Sequence, residues 1–229
     1  NTQNLKVIYE DNHIIVVEKP VNVPSQGDKT GDVDMLTIIK DYIKQKYNKP
    51  GNVYLGLIHR LDRPVGGVMV FAKTSKAAAR LSESVRNKDF SKTYLVIADG
   101  RFDKKSDILE DYMLKNEKTN MSKVVKEGTK NSKYAKLEYE ELYYSEEIDL
   151  SVLKIKLYTG RHHQIRVQLS SRNHSICGDQ KYGTRGRGKQ ISLWAYMLEF
   201  EHPTTKEKMI FKSMPEQIGS WKILENTSL

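Results

Sequence analysis

Short apolar runs punctuated by turn residues recur along the chain, and most have the length of a strand. Residues 5–10 and 13–19 are β-prone runs split by Asp11-Asn12, which predicts a hairpin ended at Lys19-Pro20. Residues 21–31, with Pro24, Ser25, Gly27 and Gly31, predict a loop. Asp34 then predicts an N-cap for a helix carrying Leu36, Ile39, Ile43 and Tyr47 on one face, stopped near 48–50. Residues 53–58 and 68–72 predict strands on either side of a bend marked by Pro64 and Gly66-Gly67. Ser75 predicts the cap of a second helix reaching about Lys88, with Ala78, Leu81 and Val85 at helical spacing as a core stripe. Strand 92–98 alternates, with Thr93, Leu95 and Ile97 on one face and Tyr94, Val96 and Ala98 on the other. Residues 134–144 and 149–158 predict an antiparallel pair across Ser145-Glu146-Glu147, and 192–200 and 208–211 two closing strands around His202-Pro203. A third helix is expected to start near Gly160, with His162, Ile165 and Leu169 sharing a face. The regular strand–helix alternation of a parallel sheet is missing.

Composition narrows the class. With 229 residues, 38% hydrophobic and 29% charged, the chain can bury a real core and is not disordered. No apolar run reaches the roughly 20 residues of a membrane helix, and no signal-peptide pattern opens the chain. One cysteine, Cys177, precludes an internal disulfide and points to a reducing, cytoplasmic compartment. Packing suits that thiol better than reactivity, because no partnered histidine is in view. Asn1 in place of methionine leaves room for a segment upstream. The formal charge of +9 fits a polyanionic partner, nucleic acid above all. Between residues 115 and 136 lie seven lysines and two acids. That segment reads either as a solvated face or loop, or as an RNA backbone contact. A basic tip at Arg185-Gly186-Arg187-Gly188-Lys189 has the make-up of a phosphate contact.

Chemistry concentrates in two stretches. In the first, His59-Arg60-Leu61-Asp62-Arg63-Pro64, an acid sits between two arginines on a tight bend entering a buried strand. Arg60 and Arg63 are placed to keep Asp62 ionised, which suits a nucleophile better than a general acid. Taken alone, the stretch favours a surface acid in local ion pairs. The second stretch, 159–171, holds Arg161, His162, His163, Gln164 and Arg166. Its adjacent histidines, with His174 nearby, do not make a metal site. Helical neighbours point about 100° apart, and no carboxylate stands at ligand spacing.

Together, four ordered blocks resemble the RluA family of RNA pseudouridine synthases. They are HRLD followed by FAKT (59–62 and 71–74), KTYL (92–95), TGRHHQIRVQL (159–169) and GDQKYG (178–183), and the opening hairpin resembles that family's first one. The likeness runs from about residue 5 to residue 212 of one catalytic domain, 1–229. It implies the α+β pseudouridine synthase fold: a long, mixed, mostly antiparallel sheet with flanking helices and a central active-site cleft. The implied reaction breaks the uracil–ribose N1–C1′ bond, turns the base over and forms a C5–C1′ bond, with no cofactor and no metal. By resemblance Asp62 is the essential carboxylate, as nucleophile or as base. Arg166 is its cationic partner, Tyr94 the tyrosine that stacks on the flipped base, and Arg60 the residue filling the vacated space. Candidate RNA contacts are His59, Arg60, Arg63 and Lys73 around the first block, Arg161, His163 and Gln164 in the third, and Lys181, Arg185 and Arg187 beyond it. The resemblance implies a monomer acting on ribosomal or transfer RNA. Many relatives carry an S4-type RNA-binding domain before the catalytic domain; this sequence does not include one, either because the protein never had it or because it lies before Asn1. Departures stand at Gln168, where relatives carry histidine, at Val65-Gly66 and at His162-His163. The alternatives are a catalytically silent RNA-binding or ribosome-assembly protein on the same scaffold, and a hydrolase using Asp62 with His59 or His163 as base.

Overall fold

A computed structural model describes residues 4–183 and 186–229. The chain divides into two compact units, one of residues 1–92 and 195–214, the other of 93–194 and 215–229. Together the elements make an α+β protein. Among the described residues no helix is long and apolar enough to cross a membrane.

In the first unit β1 (Lys6–Glu10) and β2 (Ile14–Lys19) form the expected hairpin. Asp11 sets its turn: the carboxylate accepts from the His13 and Ile14 N–H groups at 2.7 and 2.9 Å. β2 pairs antiparallel with β4 (Gly66–Ala72), which is buried along its whole length. The short β3 (Gly56–Leu57) also lies on β4. The rest of 53–58 is not strand, so only two residues of the expected run make the ladder. β10 (Leu193–Glu201) follows β4 in strand order and pairs with β11 (Lys208–Lys212). Helix α1 (Met35–Lys46) starts at Asp34, whose side chain accepts from the Thr37 N–H at 2.7 Å. Its buried face is Met35, Ile39 and Ile43, one residue around from the expected stripe, and Tyr47 is exposed. Helix α2 (Ser75–Arg86) is capped by Thr74 and not by Ser75, with the Thr74 hydroxyl accepting from the Ala77 N–H at 3.1 Å. The core gathers Ile14, Val16, Val68, Val70, Leu81, Phe90, Leu198 and Phe200, with the Phe90 and Phe200 rings stacked.

Gly66-Gly67 is not part of the bend. Both glycines belong to β4. At Gly67, with φ +132°, a Cβ would lie 2.6 Å from the Ala195 nitrogen and Cβ, and closer still to its carbonyl oxygen. Close backbone approach, not turn chemistry, requires glycine there.

In the second unit the strand order is β5 (Ser91–Asp99), β9 (Leu150–Leu157), β8 (Lys133–Ser145), β6 (Ser106–Asn116) and β7 (Met121–Val125). β6–β7, β6–β8 and β8–β9 are antiparallel. Residues 93–99 of β5 are buried on both faces, so its alternation marks no solvent side. The lysine-rich segment 115–136 runs through the end of β6, all of β7 and the start of β8; β6 and β7 form a hairpin, and β8 returns to pair with the other side of β6. Lys115, Lys118, Lys123, Lys126, Lys130 and Lys133 are exposed, on these strands and on the turns between them. Helix α3 (Gln164–Ser170) packs on β6 and β7, with Val167 against Met113, Val124, Ala135 and Tyr182. A 3₁₀ helix, Gly219–Asn226, closes the unit through Trp221, Ile223 and Leu224.

Candidate active site

The acid of the first block stands on a braced turn. The Asp62 carbonyl accepts from the Val65 N–H at 2.9 Å. One residue earlier, the Ser25 hydroxyl accepts from the Leu61 N–H at 3.1 Å and donates to the Leu61 carbonyl at 3.0 Å. Lys19, fully buried at the end of β2, donates to the carbonyls of Pro20, Val23 and Arg63. Burial pushes its ammonium down to about 7, while the Asp62 carboxylate works to raise it and Arg63 to lower it further. The half-buried Asp62 is thus coupled to a lysine whose place in the sequence marks only the end of a strand. A charged residue finishing an otherwise apolar run is the signal that could have found it.

The neighbours expected to hold Asp62 ionised behave differently. Arg63 turns to the 28–32 loop, where it pairs with Asp28 and Asp32 and bonds the Thr30 hydroxyl. Arg60 is exposed. His59 is buried, and its Nε2 accepts from the Val70 N–H at 3.1 Å. Burial, aided by Lys92, pushes the imidazole down to about 3, so it is neutral and pins the turn onto β4. Lys73 is turned inward as well, bonded to Glu10 at 2.7 Å and to the Asp11 carbonyl at 2.8 Å. His59 and Lys73 therefore support the frame from within; neither offers its polar end to a ligand.

In the second unit Arg166 is bidentate to Asp179, Nη2 to Oδ1 at 2.7 Å and Nε to Oδ2 at 3.0 Å, with both side chains almost fully buried. Burial works to raise the Asp179 carboxyl. The guanidinium and the Lys181 and Tyr182 N–H groups outweigh it and hold the group below the usual carboxylate range. Asp179 was legible only as the acid of the GDQKYG block. The helix carrying Arg166 begins later than expected, so His162 lies outside it, and His163 at its head has a left-handed backbone. His163 Nδ1 meets the Tyr182 hydroxyl at 2.7 Å; burial, with the charge of Arg166, pushes that ring down to about 3. His162 Nδ1 lies 2.7 Å from the Ser122 hydroxyl. Gln164 is buried, bonding Thr159, the Arg161 N–H and Gln168. Arg161 donates from Nε to the Tyr134 carbonyl at 2.7 Å. Gln168 donates to Asp111 and the Leu109 carbonyl. Tyr94 is buried in β5, and Lys181 is exposed.

The basic tip is partly folded back: Arg187 donates to the Ile148 carbonyl and lies 3.6 Å from Asp99. Arg185 falls outside the described residues. Cys177 is buried, and burial pushes its thiol up. Among the described residues no group of three or more His, Cys, Asp or Glu side chains converges as a metal site requires. What the two stretches offer is a carboxylate on a rigid turn in one unit and a buried, counter-charged arginine in the other.

Comparison with known proteins follows the same residues. Residues 13–171 match the sequence pattern of the RNA pseudouridylate synthase family. The chain is 31% identical over 218 residues to an uncharacterized RNA pseudouridine synthase of Helicobacter pylori, covering 91% of this chain and 65% of that protein. It is 33% identical over 221 residues to one from Aquifex aeolicus, covering 91% and 68%. Ribosomal large subunit pseudouridine synthase C of Haemophilus influenzae is 29% identical over 218 residues, with 91% and 64% covered. The chain thus spans about two thirds of the length of these relatives. Among solved structures, human RNA pseudouridylate synthase domain containing 4 superposes with a TM-score of 0.79 at 19% identity, covering 95% of this chain and 91% of that one. Human RNA pseudouridylate synthase domain containing 1 gives 0.76 at 22%, covering 96% and 87%. The fold is that of pseudouridylate synthases, and the chain belongs to the RNA pseudouridylate synthase family, in the RluA group that its four blocks resemble.

Proposed function

We propose that this chain isomerises specific uridines to pseudouridine in ribosomal or transfer RNA. The observation that carries the reading is the bracing of the Asp62 turn. Ser25 holds Leu61 by both backbone groups, Val65 closes the bend, and a wholly buried strand follows. A carboxylate that must meet one sugar carbon needs such preorganisation, because a misplacement of about 1 Å can cost 100-fold in rate.

In this reading Asp62 acts on the ribose–uracil unit as nucleophile or base while the N1–C1′ bond breaks. The freed uracil turns over, C5 bonds C1′ and gives up its proton to solvent, and N1, released from C1′, takes one up. Nothing is oxidised, so no cofactor is called for. By the resemblance, Arg166 serves as the cationic partner of Asp62, and Tyr94 stacks on the extruded base. The target base is flipped out at a cost of about a few kcal/mol of unstacking, and the exposed Arg60 fills the space it leaves. The guanidinium's plane stacks while its charge meets phosphate. Exposed Lys181 and the lysines of the 115–136 segment follow the RNA backbone. The likeness to an enzyme named for the large ribosomal subunit makes ribosomal RNA the first substrate to test.

The test is tritium release from C5-tritiated ribosomal and transfer RNA taken from cells lacking this protein. Wild type and Asp62→Asn are compared. Release by wild type alone supports the reading. Tight RNA binding without release by either protein would establish the silent binding protein instead.

A further inference from the structure

Arg166 is supported from beneath by a ring of polar contacts that includes a residue on the sheet edge. Its guanidinium carbon lies 5.3 Å from the centre of the Tyr182 ring. Tyr182 is fixed at its backbone end, where the N–H donates to Asp179 at 3.2 Å and the carbonyl accepts from the Ser170 and Ser175 hydroxyls at 3.1 Å. Its phenol end is held by other elements. The hydroxyl accepts from the Ser122 N–H at 2.9 Å and meets His163 Nδ1. The Ser122 hydroxyl meets His162 Nδ1, and the His162 and His163 rings lie with centroids 3.7 Å apart, tilted by 31°. The path therefore closes on itself: Ser122, His162, His163, Tyr182 and back to Ser122.

Two features make this more than packing. Ser122 is buried in β7, the last strand of its unit's order, while its neighbour Lys123 is exposed. β7 pairs only with β6 among the described residues, so the ring supplies a second fixed point for a two-stranded arm, and isolated two-stranded hairpins are marginal in water. His162 also stands ahead of the helix, a position from which its side chain reaches across to β7.

We infer that Ser122 and His162 are positioning residues for Arg166, clipping β7 to the head of α3 so that the Tyr182 ring stays seated under the guanidinium. This rests on the synthase reading, in which Arg166 is the cationic partner of Asp62.

The experiment is a cycle of Ser122→Ala, His162→Ala and the double variant in the full chain, with Ser122→Thr as the rescue. Hydrogen exchange is read at the β7 and 160–168 amides. Single-turnover tritium release and the RNA Kd are measured alongside. Each single variant is expected to speed exchange in those two segments and leave the β8–β9 amides unchanged. Release should slow about five- to tenfold, the worth of one hydrogen bond, with Kd within about twofold. The double variant should do no more than either single one, and Ser122→Thr should restore both. Unchanged exchange, additive effects, or a loss of rate matched by an equal loss of RNA affinity would each overturn the inference. If wild type itself releases no tritium, the synthase reading falls, and the exchange cycle alone decides whether the clip exists.

Discussion

Replacing Asp179 by Asn tests whether the Arg166 pair is an energetic keystone of its unit. The substitution keeps the shape and removes one charge from beside a guanidinium whose side chain is 4% exposed. It also turns one of the two oxygens that Arg166 engages into an N–H₂ group, so donor meets donor. Breaking one side of a buried, hydrogen-bonded ion pair costs about 3–5 kcal/mol. For a chain of this size, each kcal/mol shifts the melting temperature by about 2–4 °C, so Asp179→Asn should melt roughly 6–20 °C below wild type. The pH dependence carries a sign. The Asp179 carboxyl is held below its unfolded value of 3.8, so the unfolded chain binds the proton more readily. The stabilisation is therefore fully present above that value and lost as pH falls through the lower, folded one. Thermal melts of both proteins between pH 7 and pH 2.5 should show a gap that is wide and flat at neutral pH and narrows in acid. A gap under about 2 °C at pH 7 would refute the claim that Asp179 carries the charge of Arg166. So would a gap that stays constant into acid.

Two other outcomes follow from the architecture. Gly67→Ala drives a methyl into the Ala195 backbone of β10, and the chain should lose several kcal/mol, about the range of an overpacked, conformationally incompatible site; urea unfolding with a midpoint near that of wild type would contradict it. Neutralising Lys118, Lys123 and Lys126 together should reduce the slope of log K against log salt by about 0.7–0.9 for each phosphate left without its lysine; an unaltered slope, measured by filter binding, would return the segment to a solvated role.

Local chemistry is legible where neighbours in sequence decide the structure. The Asp11 turn, the Asp34 cap and the closing strands are of that kind, since a short side chain bonds its own backbone within three residues. The pattern misleads where a distant element decides. Gly66-Gly67 looks like a turn until Ala195 arrives against it. The lysines of 115–136 are divided between strand positions and the turns joining them, and their charge hides the pairing of Met113 with Val124. In the candidate site, Asp62, Arg60 and Arg166 stand out through their blocks. Lys19, Ser25, Ser122 and Asp179, which hold those blocks still, do not, because their partners are separated in sequence and nothing local marks a buried charge or a clamping hydroxyl.

The Ser25 hydroxyl does at Leu61 what a whole residue does in an antiparallel ladder, accepting from one backbone N–H and donating to its carbonyl. It does so from 36 residues away. The motif around Asp62 is thus contiguous in sequence but non-local in its geometry. Its shape arrives only when the loop after β2 has docked, at the loop-closure entropy of a long segment. A peptide spanning residues 57–74 would carry every letter of the motif and none of its stiffness, so the acid's readiness is a property of late folding.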